Sequence, residues 1–160
     1  DGAGNTAAVS AGQAGWADLT RPLAVARADW VVCTEVGEHI PSSMEHALLA
    51  NIHAHNCLGV VISWAQLRQR GKSHVNNHSP EYVLETFRGL NYTLDERLTE
   101  EVRRPLLPVG FRSVYAVSHN GSEVPGWVLY GRKRFAKYGY LHLPWIRRNI
   151  LVFRRNKPVC

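Results

Sequence analysis

The sequence predicts an α/β domain built on an open sheet with parallel strands. Two short, nearly continuous apolar runs, Asp29-Trp30-Val31-Val32-Cys33-Thr34 and Leu58-Gly59-Val60-Val61-Ile62-Ser63-Trp64, have the β-branched and aromatic content of buried parallel strands. Between them Met44, Leu48, Ile52 and His55 recur at helical spacing and predict a helix over 43–56. A second helix is signalled downstream, so the order is strand, helix, strand, loop, helix. That βαβα unit belongs to open α/β sheets with crossover connections.

The first fifteen residues are rich in Gly and Ala and read as loop or the end of a truncated element, and Trp16-Ala17-Asp18 reads as a strand tip. Ser42 with Glu45 three residues later forms a capping box ahead of the first helix. A polar, Gly-containing loop runs from Gln66 to His78. Ser79 is then a natural N-cap, with Pro80 at the first helical position and Val83, Leu84 and Phe87 on the apolar face up to Gly89. Leu90 to Thr93 reads as a short strand, Asp95 to Arg104 as a charged helix, and Ile150 to Phe153 as a closing strand at an edge of the sheet. Residues 105–143 are rich in Gly, Pro and aromatics, match no clear period, and read as a possible insertion.

At 160 residues, 45% hydrophobic and 20% charged, the chain has one domain's worth of ordinary globular composition, which argues against a disordered, collagenous or coiled-coil chain. It contains no apolar run of transmembrane length. It opens on Asp1 with no basic-then-apolar leader, as a fragment or processed chain would. Cys33, Cys57 and Cys160 are odd in number and lack CxxC spacing, so reduced thiols and a cytoplasmic setting are expected. Asn77-His78-Ser79, Asn91-Tyr92-Thr93 and Asn120-Gly121-Ser122 are formal glycosylation sequons that would matter only in a secreted parent. The net charge of +6 is uneven: residues 1–123 carry ten Lys/Arg against thirteen Asp/Glu, whereas residues 124–160 carry nine Lys/Arg and no acid.

In open α/β sheets, ligands sit beyond the carboxyl ends of the strands. After the first predicted strand comes Glu35-Val36-Gly37-Glu38-His39-Ile40-Pro41, and after the second come Ser63-Trp64-Ala65 and then His74-Val75-Asn76. The segment from Asp29 to Pro41 resembles the fourth strand and following Glu-Val-x-Glu-His motif of class I S-adenosylmethionine-dependent methyltransferases. Gly59 to Asn76 is similar to that family's fifth strand and its loop, and Trp145 to Arg155 to its final antiparallel strand. The resemblance spans residues 1–104 and 144–155. It implies a Rossmann-like open sheet, mostly parallel with an antiparallel final strand. The family's first strand and Gly-rich motif would lie upstream of Asp1, so residues 1–160 read as a single, N-terminally truncated methyltransferase domain.

What the resemblance implies for the site is specific. Asp1 matches the acidic residue that holds the cofactor ribose, Asp18 the residue that contacts adenine, and Thr34 and Glu35 the lining of the methionine side. In some family members the Glu-x-x-Glu-His motif and a later His bind a divalent metal that activates a hydroxyl. The candidates here are Glu35, Glu38, His39 and His74. If a helical turn forms there, positions i, i+3 and i+4 share one face, and carboxylates mixed with imidazole suit Mn²⁺, Fe²⁺ or Zn²⁺ better than Mg²⁺. Pro41 restrains Ile40 to an extended backbone, so such a turn must be brief. Without a metal, His39 or His74 would be the general base. The plainer readings are that Glu38 and His39 line the cleft without metal, that His74 is a loop residue bonded to backbone, that Trp64 is core, and that His46, His53 and His55 are solvated or packing residues.

The implied function is transfer of a methyl group from S-adenosylmethionine to an acceptor the sequence does not identify. A competing reading is a nucleic-acid-binding module, because Arg132, Lys133, Arg134, Lys137, Arg147, Arg148, Arg154, Arg155 and Lys157 are interleaved with Tyr130, Phe135, Tyr138, Tyr140 and Trp145. A third is a catalytically inactive, methyltransferase-like remnant.

Overall fold

The computed structural model describes residues 5–103, 115–117, 123–125 and 148–160. A short helix α1 (Thr6–Val9) lies in the expected N-terminal loop. It is followed by β1 (Ala28–Cys33), α2 (Glu45–His55), β2 (Asn56–Ile62), α3 (Pro80–Gly89), β3 (Tyr92–Leu94), α4 (Glu96–Arg103), the short strands β4 (Tyr115–Val117) and β5 (Glu123–Pro125), and β6 (Leu151–Arg155). The two strands, the two helices around them and the closing strand all fall where periodicity placed them, with small shifts at the ends.

The main sheet has four strands in the order β1-β2-β6-β3. β1 and β2 are parallel, with Trp30 opposite Gly59 and Cys33 opposite Ile62. β6 is antiparallel to both neighbours, pairing Ile62 with Leu151 on one side and Leu94 with Phe153 on the other. β1, β2 and β3 therefore run one way and only the last strand opposes them. The closing strand is interior, not at the expected edge. Its Leu151, Val152 and Phe153 are all buried, a continuous apolar stretch suited to a strand covered on both faces and flanked on both sides. Three-residue β3 takes the edge instead, the short element that edges favour.

The core joins Cys33, Leu48, Ile52, Val60, Ile62, Val83, Phe87, Tyr92, Leu151 and Phe153, with the Phe87 and Phe153 rings stacked at 4.5 Å. Trp64 belongs to it at 3% exposure, so the core reading of that residue holds. Ser79 caps α3 by accepting from the Tyr82 amide. The capping box of Ser42 and Glu45 does not form. Ser42–Met44 make a 3-10 turn, and α2 begins at Glu45 with no side-chain cap, because the Glu45 carboxylate is drawn to partners far along the chain.

Two further expectations change, those for Trp16-Ala17-Asp18 and for the cysteines. Trp16-Ala17-Asp18 is not a strand. Residues 19–23 are instead pinned to α2 by Asn51, whose side chain accepts from the Leu23 amide and donates to the carbonyls of Leu19 and Arg21. Within 105–143, β4 and β5 pair antiparallel, Tyr115 opposite Pro125; the remainder of that stretch lies outside the described residues. Cys57 and Cys160 are joined as a disulfide, which replaces the expectation of three free thiols; their Cα atoms are 5.4 Å apart across 103 residues of chain. Cys33 is the free cysteine among the described residues, and it is buried. No helix of the described residues is long and apolar enough to cross a membrane.

Candidate functional site

The carboxyl ends of β1 and β2 meet at a junction made by Ser63. Its amide donates to the Cys33 carbonyl, and its hydroxyl accepts from the Glu35 amide and donates to Glu35 Oε1, both at 2.8 Å. Glu35 has φ +55, a conformation most side chains avoid, and this two-point grip holds it there. Beyond it Gly37–His39 form a single 3-10 turn, which ends at extended Ile40, as Pro41 requires. The turn is as brief as expected, and it starts too late to carry Glu35 onto the face of Glu38 and His39.

Three donors do converge. One ligand atom each from Glu38, His39 and His74 lie within 4.8 Å of one another. The imidazoles of His39 and His74 meet edge to face with centroids 5.0 Å apart. Both rings are oriented through Nδ1: His39 to the Ser73 carbonyl at 3.1 Å, and His74 to the Gln69 carbonyl at 3.3 Å. A carbonyl can only accept, so each Nδ1 carries the proton and each Nε2 keeps a lone pair in the neutral ring. His74 is thus bonded to backbone, as the plainer reading held, and that bond readies its other nitrogen. Gly71 makes room for the ring: a Cβ there would overlap Nε2, Cε1 and Cδ2 of His74, Nε2 most of all.

Glu38 is fully buried, and neither of its carboxylate oxygens has a hydrogen-bond partner. Burial pushes its pKa up and the neighbouring Glu35 charge adds to this, whereas the nearby amides of Glu38 and Ala65 and the His39 ring pull the other way. The amides are close enough to favour the charge without closing a hydrogen bond. A buried carboxyl left unpaired costs free energy, so it marks a place where a cation or proton would be welcome. Burial, helped by the Glu38 charge, also pushes the Cys33 thiol up to about 12.

A cleft of about 890 Å³ opens beside this cluster along the free edge of β1, lined by Trp16, Asp18, Thr34, Glu35, His39 and Asn51 among others. Three of the four residues expected to hold the cofactor, Asp18, Thr34 and Glu35, therefore share one cavity with His39. Asp1 lies outside the described residues. The Asp18 carboxylate is already engaged: Oδ1 accepts from the Thr20 hydroxyl and amide, and Oδ2 pairs with Arg21. Those bonds hold its pKa below the ordinary value.

Sequence reasoning missed a second polar cluster. Glu45, buried at the start of α2, accepts from Asn76 Nδ2 at 2.7 Å, His78 Nε2 at 2.8 Å and the Tyr82 hydroxyl at 2.7 Å. Burial opposes its ionisation, but the hydrogen bonds from Tyr82, Asn76 and His78 outweigh it and hold the pKa below the usual carboxylate value. No local spacing announces this cluster, because its members sit on α2, a loop and α3. The helix histidines divide as expected. His46 is exposed, His55 bonds the Asn51 carbonyl, and His53 contacts Tyr92 and Arg155 at the opposite end of the sheet.

Of the basic residues behind the nucleic-acid reading, those at 132–147 lie outside the described residues. Two of the others are committed within the fold: Arg154 pairs with Asp95 at 2.6 Å, and Arg155 donates to the Asn56 carbonyl at 2.7 Å.

No family model matches the chain, and no curated protein does. Among solved structures it is similar to magnesium protoporphyrin IX methyltransferase (ChlM) from Synechocystis PCC 6803. Against the form with bound SAH the identity is 12% and the TM-score 0.46, over 88% of this chain and 50% of that one. Against the form with bound SAM the identity is 13% and the TM-score 0.44, over 87% and 43%. The chain thus spans half or less of those structures' length, and at such values the likeness fixes neither fold nor activity.

Proposed function

We propose that the chain forms the carboxyl-terminal part of an S-adenosylmethionine-dependent methyltransferase acting on an acceptor still to be identified. The observation that carries this reading is convergence. The large cleft along the edge of β1 reaches that strand's carboxyl end, where Asp18, Thr34 and Glu35 line it, and it adjoins the Glu38, His39 and His74 cluster through His39. When bound, the cofactor supplies a methyl group made electrophilic by its sulfonium, so the protein's task is chiefly to orient a nucleophile toward it. Thr34 and the Glu35 region line the methionine side. Asp18 acts by fixing the turn that carries Leu19 on the cleft wall, its Oδ1 being taken up by the Thr20 amide and hydroxyl.

The donor set fits a divalent metal. One carboxylate and two neutral imidazoles with orienting carbonyls are the ligands of Mn²⁺, Fe²⁺ or Zn²⁺ sites with open positions. Glu38, His39 and His74 would hold the ion, which would lower the pKa of an acceptor hydroxyl. Glu35 is reserved for Ser63. In the absence of metal, the lone pair on Nε2 of His39, on the cleft wall, would take the acceptor proton, with His74 beside it.

Calorimetric titration of S-adenosylhomocysteine tests the reading, using the 160-residue chain and a chain extended upstream through the Gly-rich motif the resemblance implies. Saturable binding that weakens in Thr34→Trp, which fills the cleft, is expected. No binding to either chain at millimolar ligand would overturn it.

A further inference from the structure

His74 is an unusual donor for this cluster because it arrives on a loop, 35 residues beyond His39, with little helix or strand to hold it. The loop's far end is tied down heavily. The amides of Val75 and Asn76 both donate to the Glu38 carbonyl, at 2.8 and 3.1 Å. The Asn76 carbonyl accepts from the Trp64 indole at 2.7 Å, and the His78 amide donates to the Ala65 carbonyl at 3.1 Å. Asn77 donates to the loop's own carbonyls at Gln66 and Gln69, whereas Asn76 and His78 both end on one atom, Oε2 of Glu45. The other oxygen, Oε1, takes the Tyr82 hydroxyl from α3. Glu45 is 6% exposed and Asn76 4%, so water cannot readily replace either in these bonds.

We propose that Glu45 is a positioning residue: by gripping Asn76 and His78 it sets the loop so that His74 stands against His39 and Glu38, without touching any of the three itself. A carboxylate suits this because it accepts only, and one oxygen can take two donors from the same loop. The Tyr82 hydroxyl serves a different end, tying α3 to α2. Its ring stacks on His78 at 3.7 Å, a contact that Tyr82→Phe keeps. The proposal rests on the reading that His74 belongs to the functional cluster.

Two measurements on the full chain separate the proposal from that reading. The first is the nuclear Overhauser contact between the imidazole protons of His39 and His74, which needs no metal. The second is Co²⁺ affinity from its visible absorption. The wild type should show the contact. Glu45→Gln, which keeps an acceptor for the loop, and Tyr82→Phe should retain it. Glu45→Ala and Asn76→Ala should lose it and bind Co²⁺ about 10–100-fold more weakly, the usual cost of removing an outer-shell partner. If Glu45→Ala does not fold, Asn76→Ala decides, because it leaves Glu45 bonded to His78 and Tyr82. A contact that survives in the folded alanine variants, with Co²⁺ affinity unchanged, overturns the positioning role. A wild type that shows the contact but takes no Co²⁺ overturns the metal reading instead, and the contact alone then decides for Glu45.

Discussion

Gly37 lies flat against the buried face of Trp64, and replacing it with alanine tests how tightly the candidate turn is built. A Cβ at Gly37 would overlap Cε2, Cδ2 and Cζ2 of the indole. The indole cannot easily yield. It is 3% exposed, and its Nε1 donates to the Asn76 carbonyl at 2.7 Å. Gly37 has no positive φ, so the backbone accepts alanine and the penalty is steric alone. Overpacking of this kind costs about 1–3 kcal/mol. If the indole shifts, the Asn76 carbonyl is left unpaired in the interior for about another 1–3 kcal/mol. Gly37→Ala should therefore destabilise by about 1–3 kcal/mol, or about 2–6 kcal/mol if the indole shifts, in urea unfolding followed by far-UV circular dichroism. Trp64→Leu should cost somewhat less than the roughly 3–5 kcal/mol of a Trp→Ala truncation. The double variant is the decisive one. With the indole gone the new methyl has room, so the combined cost should fall short of the sum by about 1–3 kcal/mol. Costs that add within about 0.5 kcal/mol would refute the close contact.

Gly71→Ala should displace the His74 ring and lower Co²⁺ affinity about 10–100-fold, while thermal stability stays level or rises, since Gly71 is exposed and alanine narrows the unfolded ensemble; unchanged affinity would show that the ring does not lie over this glycine. Glu45 has a folded pKa below its ordinary 4.5, so its stabilisation is complete above about pH 4.5 and drains away as pH falls through the lower folded value. Urea midpoints from pH 6 to 3 should accordingly fall more steeply in wild type than in Glu45→Gln, and parallel curves would contradict the assignment. Thiol titration in denaturant without reductant should find one free thiol per chain, Cys33, and finding three would dispose of the Cys57–Cys160 bond. Glu38→Met, which removes two buried oxygens lacking partners, should raise stability by about 1–3 kcal/mol and weaken Co²⁺ binding; a loss of stability would mean that Glu38 is paired after all.

Elements whose signals are local were legible. Val83 and Phe87 at helical spacing behind Ser79-Pro80 mark α3, and the apolar run at 58–64 marks β2, because burial pattern and end chemistry lie within a few residues of each other. The brief turn at Glu38 and His39 was legible for the same reason: Pro41 limits it from one side. What failed was decided at long range. The capping box at Ser42 lost Glu45 to donors 31 to 37 residues away. The interior place of β6 depends on lateral order, about which order along the chain says nothing. The bond between Cys57 and Cys160 spans 103 residues, and an odd count without CxxC spacing carries no trace of it. His74 lies between these cases, since the residues supplied a candidate and only the loop's anchoring shows how it reaches His39.

The polar groups this fold buries fall into two kinds, and the difference locates the site more firmly than any motif. Asn51 is satisfied three times over by the segment it pins, and Glu45 three times by the loop and helix it joins. Each stabilises because every desolvated atom has a partner, and neither is free to serve a ligand without breaking the structure it holds. Glu38 is the reverse. It is as deeply buried, yet both oxygens stand without partners, beside two imidazoles whose protons are already committed to carbonyls. Among the described residues the other buried side-chain atom so placed is Asn56 Oδ1, at the opposite end of β2 and away from the cleft. A fold that completes its structural bonds around Glu45 but leaves a carboxylate open at the carboxyl end of its strands concentrates unmet electrostatic demand at one point. That demand is what a cation, or the proton of an acceptor, would answer.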